Sequence, residues 1–215
     1  MIAGFYGKLP ARGDFVRLGL PREFTEAWDA WLSPAIAGSR ISMGEDWLPA
    51  FLEAPVWRFM LASGLCGGQA ALGLMLPSVD RAGRYFPLTF AALFGDGAPV
   101  SDSAWLDGAE AAGRAALEDD AAPEQLGAML GLPAAITLPA EIGAMQGIWW
   151  TDGSPRVAAT RFTLSGMPDA CVYATMLGAR RAGDASAAAT AAEPTKPQAG
   201  VPATPTGEHP WEPPS

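Results

Sequence analysis

The sequence predicts an α/β protein, a three-layer α/β/α sandwich around a mixed, largely antiparallel sheet. Three observations lead there. The elements run strand, two helices, three strands, two helices, two strands and one last element, so helices fall between groups of strands. The strands between Trp57 and Phe94 are apolar on both faces, which calls for helices on both sides. Hydrophobic residues make up 49% of the 215 and charged residues only 17%, enough for a core of ordinary size.

Ile2 to Tyr6 reads as the first strand, and Pro10 to Val16 as a loop with turn residues at its centre. Pro21 suits the first position of a helix. Phe24, Ala27, Trp28, Trp31 and Leu32 then recur at helical spacing, predicting an amphipathic helix to about Ala37. A short helix over Trp47 to Glu53 and a strand over Val56 to Ala62 follow. From Phe59 to Val79 no charge occurs, a run long enough by count to span a bilayer. Gly64, Gly67, Gly68, Gly73 and Pro77 interrupt it, so it reads as two buried strands joined by a turn, with no membrane insertion.

Ala71 to Pro77 and Tyr85 to Phe94 flank Asp80-Arg81-Ala82-Gly83-Arg84, the pattern of a hairpin. Ser101 or Ser103 caps a helix that runs through Leu117, and another helix follows Pro123. Gly147 to Thr151, the turn Asp152-Gly153-Ser154-Pro155 and Arg156 to Leu164 give the strongest hairpin signal. Asp169 to Leu177 fits a helix or a strand equally. The folded domain spans residues 1–180. Residues 181–215 form an Ala/Pro-rich tail too poor in large apolar groups to offset its ordering entropy, and they are expected to be disordered.

Composition removes chemistries. A net charge of −9 argues against nucleic acid and anionic membrane as partners. The single histidine, His209, lies in the Pro-rich end, so a Ser-His-Asp or Cys-His centre inside the domain is excluded. Cys66 and Cys171 are too far apart in sequence for a zinc motif and read as buried free thiols. No metal or cofactor is expected. The stretch Met1 to Lys8 has no basic region followed by a long apolar one, which makes the cytoplasm the expected compartment.

Several motifs lose to plainer accounts. Gly4-Phe5-Tyr6-Gly7-Lys8-Leu9 lacks both the spacing and the Ser/Thr of a phosphate-binding loop, and reads as a strand entering a turn. Gly64-Leu65-Cys66-Gly67-Gly68 has no base nearby to form a thiolate. Glu118-Asp119-Asp120, with Glu124 beyond, lacks the alternation of a calcium loop. Asp14, Glu53 and Asp80 sit at element boundaries, where paired acids can act as general acid and base, but no spacing brings two together.

Arginine placement is more informative. The chain has twelve Arg and two Lys. Arg12 sits beside Gly13-Asp14, and Arg81 and Arg84 surround Gly83. Guanidinium groups suit bidentate pairing with carboxylates or with a partner. Arg12, Asp14, Asp80, Arg81 and Arg84 therefore form two loops that brace each other, meet a partner, or do both. Trp149 and Trp150 point to opposite sheet faces, which makes Trp150 a candidate interface anchor.

The segment Gly4-Phe5-Tyr6-Gly7-Lys8-Leu9-Pro10-Ala11-Arg12-Gly13-Asp14-Phe15 resembles the opening of the TagF (ImpM) family associated with bacterial type VI secretion. So do Pro55-Val56-Trp57-Arg58-Phe59, the run from Met75 to Thr89, and Trp149-Trp150-Thr151. The resemblance spans about residues 2–177. It implies an α/β/α fold and a cytoplasmic, non-enzymatic, post-translational repressor that binds Fha, the FHA-domain scaffold of the apparatus. It carries over no established functional residue. Two alternatives stand beside it: a carboxylate/arginine-based hydrolase and a structural accessory subunit of the apparatus.

Overall fold

The computed structural model describes residues 1–95, 103–133 and 142–179. The expected tail and Ser101 lie outside them. Among the described residues seven strands form one sheet: β1 (Ile2–Gly7), β2 (Val16–Leu18), β3 (Trp57–Leu61), β4 (Ala70–Leu76), β5 (Leu88–Phe94), β6 (Gln146–Thr151) and β7 (Thr160–Ser165). Their order is β2-β1-β5-β4-β3-β6-β7. The helices are α1 (Arg22–Met43), α2 (Trp47–Leu52), α3 (Ser103–Glu118), α4 (Pro123–Met129) and α5 (Ala170–Met176).

Side chains along the central strands alternate between two hydrophobic clusters, as the period of two requires. Trp57, Phe59, Leu61, Ala71, Met75, Ala91 and Leu93 join Phe24, Trp28 and Leu32 of α1, Phe51 of α2 and Tyr173 of α5. Met60, Leu72, Leu74, Leu88, Phe90 and Ala92 join Trp105, Leu106 and Ala109 of α3 and Leu126 of α4. β4 and β5 are buried along their whole length. Close approach depends on missing side chains. At the crossing of α1 and α5, a Cβ on Gly38 would lie 2.6 Å from that of Ala170.

Several expectations need correction. The sheet was expected to be mixed, but every pairing is antiparallel. The long connections carry helices, yet they return the chain in the opposite sense, with β1 beside β5 and β6 beside β3. The loop expected over 10–16 leads into β2, an edge strand of three residues, too short to show alternation. α1 continues to Met43 with Pro34 inside it, and ends where Gly44 takes φ 57°. β5 begins at Leu88 rather than Tyr85, because Pro87 has no amide to give the ladder. β7 begins at Thr160, since Ser154 and Val157 close a turn on each other (2.8 and 3.2 Å) and Arg156 pairs with Glu53 at 2.6 Å. The undecided last element is helix α5. Asp169 caps it through the Val172 amide, and the indole of Trp57 donates to the Met176 carbonyl at 3.0 Å.

Cys171 is exposed, not buried as expected. Burial pushes the Cys66 thiol up to about 12, so it stays protonated and inert at neutral pH. An aromatic disulfide reagent should therefore titrate one thiol in the native chain and both after denaturation. Rapid native labelling of both would contradict this packing.

Candidate functional site

The two arginine-bearing loops meet at one end of the sheet. β1 ends at Gly7, with φ 145° and the Pro87 carbonyl only 2.2 Å from where a Cβ would stand. The chain then turns Lys8 inward, leaving it 4% exposed. After β4, Ser78 donates its hydroxyl to the Lys8 carbonyl at 2.7 Å. Gly83, at φ 78°, closes a tight turn on Asp80.

Asp80 is the hub. Its side chain is wholly enclosed. One oxygen, Oδ2, accepts from Lys8 Nζ and from Arg84 Nε, each at 2.7 Å. The other, Oδ1, accepts from the amides of Ala82 and Arg84, each at 2.9 Å. Arg84 reaches on to the Gly13 carbonyl, and the Arg81 amide donates to the Arg12 carbonyl at 2.9 Å. Burial by itself would raise the Asp80 carboxyl. The hydrogen bonds from Lys8, from the Arg84 amide and side chain and from Ala82 outweigh it and hold the group well below the usual carboxylate range.

Chemically this is a brace. A carboxylate ionised at neutral pH has no proton to give, and with both oxygens occupied it can take one only by dismantling the loops. Asp14 does not converge with it. Asp14 is exposed, and its Oδ1 accepts from the neighbouring Phe15 amide at 2.8 Å. The depression lined by Phe51, Trp57, Met75, Pro77, Pro87 and Tyr173 is apolar and borders neither acid. Among the described residues, no group of three or more His, Cys, Asp or Glu is placed to hold a metal. No helix among them is long and apolar enough to cross a membrane.

The remaining predicted residues fall as follows. Arg12 is exposed and faces Glu124 at 3.6 Å, not Asp14 or Asp80. Arg81 and Arg84 are exposed at the rim, with an Arg81 nitrogen 3.9 Å from where a Gly13 Cβ would be. Trp150 is only half-buried and packs against the cluster that holds α3, whereas Trp149 is fully enclosed in the other. It lies far along the sheet order from the loops, on β6 rather than β1.

Lys8 and Phe15 went unrecognised as members of this site. In the sequence Lys8 belongs to the motif that fails as a phosphate-binding loop. A lone lysine directly after an apolar strand was the available signal. Phe15 stacks on Tyr6 (5.4 Å, 9° between planes), meets Phe86 edge-on at 4.8 Å and lies 4.1 Å below Lys8 Nζ. It is nevertheless 41% exposed. Tyr6 donates its hydroxyl to Asp29 at 3.2 Å, and burial together with that carboxylate pushes its phenol upward.

Residues 4–131 match the model of the TagF N-terminal domain, described as type VI secretion system-associated. The crystal structure of PA0076 from Pseudomonas aeruginosa PAO1 superposes with a TM-score of 0.75 at 33% identity, covering 93% of this chain and all of that one. No curated protein matches the chain. With the family model covering more than half of the sequence, the chain belongs to the TagF family of type VI secretion system-associated proteins.

Proposed function

We propose that this protein is a non-enzymatic repressor of type VI secretion that acts in the cytoplasm by binding the FHA-domain scaffold Fha. The family supplies the system. The observation that favours contact over catalysis is the state of Asp80, the acid most deeply set among the predicted residues. It is consumed in bracing two loops whose outer sides carry Arg12, Arg81 and Arg84. The body is read as helix, sheet and helix layers, because α1, α2 and α5 share one cluster and α3 and α4 the other. In that arrangement the loop end that carries these arginines is open to a partner.

Immobilised full chain should retain purified Fha, and deleting the gene should raise secretion of the system's tube protein. Unchanged secretion in a strain with an active system would sink this reading. Co-purification with the assembled machine but not with Fha alone would favour an accessory subunit instead.

A further inference from the structure

Phe15 is a large aromatic side chain, 41% exposed, that is packed along part of its ring. Tyr6, Phe86 and the Lys8 ammonium hold it on three sides. Lys8 is itself fixed by Asp80, so the brace described above also sets the position of Phe15. Around it lie four exposed arginines. Arg12, Arg81 and Arg84 come from the two locked loops. Arg17 stands opposite Tyr6 in the β1–β2 pair, and so shares the sheet face of Tyr6 and Phe15. The acids within the same patch are Asp14, Asp29 and Glu124, the last facing Arg12, while Asp80 is shared by Lys8 and Arg84, whose two charges exceed its one. The patch is thus locally positive on a chain of net charge −9.

A packed but half-exposed aromatic among arginines has the composition of an interface hot spot. An anchor whose ring is already packed on three sides has less rotamer entropy to lose when a partner covers it. A positive rim on an acidic molecule selects for carboxylates and repels further copies of basic surfaces.

We propose that Phe15 with its rim of Arg12, Arg17, Arg81 and Arg84 is the docking point for a partner-protein segment in which acidic residues flank an apolar side chain. This deepens the contact reading given under Proposed function and rests on it. The apolar side chain covers the exposed face of Phe15, and the flanking carboxylates reach the guanidinium groups.

The test selects a phage-displayed library of random twelve-residue peptides against the immobilised full chain. Enriched peptides are then measured by calorimetry on the wild type, Phe15→Ala, Arg17→Glu/Arg81→Glu and, as a remote control, Arg22→Glu, whose side chain is 81% exposed. Enrichment of acid-flanked apolar sequences is expected, with at least tenfold weaker binding to the first two variants and none lost with Arg22→Glu. Thermal unfolding of each variant separates lost contact from lost fold. Arg17→Glu/Arg81→Glu removes no buried group, so it keeps the test decisive if Phe15→Ala unfolds. Enriched peptides without an acidic excess, or equal binding to the variants, overturn the proposal. So does concentration-dependent self-association abolished by Phe15→Ala, which would make a second copy the occupant. Fha bound equally by wild type and both variants overturns it as well, leaving the Fha reading intact. Failure of the wild type to bind Fha, with acidic peptides still seated at Phe15, overturns the Fha reading and supports the surface.

Discussion

Replacing Asp80 with Asn should lower the thermal unfolding midpoint on the order of 10 °C, more than any surface charge change. The substitution keeps the shape and removes the charge. Lys8, 4% exposed, then sits as a buried cation without its counter-charge. An amide also cannot satisfy the site. Its NH₂ must face either the ammonium and guanidinium on one side or the amides of Ala82 and Arg84 on the other, and all are donors. Lys8→Met should cost less, since Asp80 would retain Arg84 and both backbone amides.

The pH dependence has a definite sign. The folded carboxyl lies below its unfolded value, so its stabilisation is fully present above about pH 4, the ordinary carboxylate range. It is lost as pH falls through the folded value. The gap in urea midpoint between wild type and Asp80→Asn should therefore be constant near neutrality and narrow as the pH drops below about 4. A gap that widens on acidification, or a variant as stable as the wild type, would refute the brace.

Gly73→Ala should destabilise the protein by about 3 kcal/mol or more, from one added methyl group. Gly73 lies in β4, paired to Phe59 on one side and to Ala91 on the other. A Cβ there would stand 2.2 Å from the Phe90 carbonyl oxygen and 2.4 Å from Phe59 Cζ. The ring can turn only within a packed core, and the carbonyl is fixed in the ladder, so neither can yield cheaply. Denaturant unfolding with an unchanged slope and a large drop in midpoint is the expected result. A loss under 1 kcal/mol would mean that the centre of the sheet has slack that the packing does not show.

Much of the fold was legible because it rests on local pattern. The spacing of Phe24, Trp28 and Leu32 gave α1, the charge-free run broken by glycines gave β3 and β4, and Pro123 marked the start of α4. What failed was non-local or too short. β2 has only three residues, and its existence depends on β1 lying alongside. The sense of each pairing depends on how long connections return, which periodicity does not encode. At the site, Asp80 and Arg84 were legible as neighbours in one turn. Lys8 was not, because seventy-two positions separate it from its partner.

The acidic, histidine-poor composition, the strand and helix periodicities and the family motifs belong to the sequence alone. The periodicities determined an α/β fold, because they depend only on residue type and spacing, and the motifs pointed to a family associated with type VI secretion. Tertiary structure decided which of the charged residues in two loops is buried, with what partner, and which aromatic is left exposed above them. Burial and pairing across the sheet are properties of three-dimensional neighbours. Only the folded chain turns Lys8 inward onto Asp80 and leaves Phe15, with its arginines, facing out.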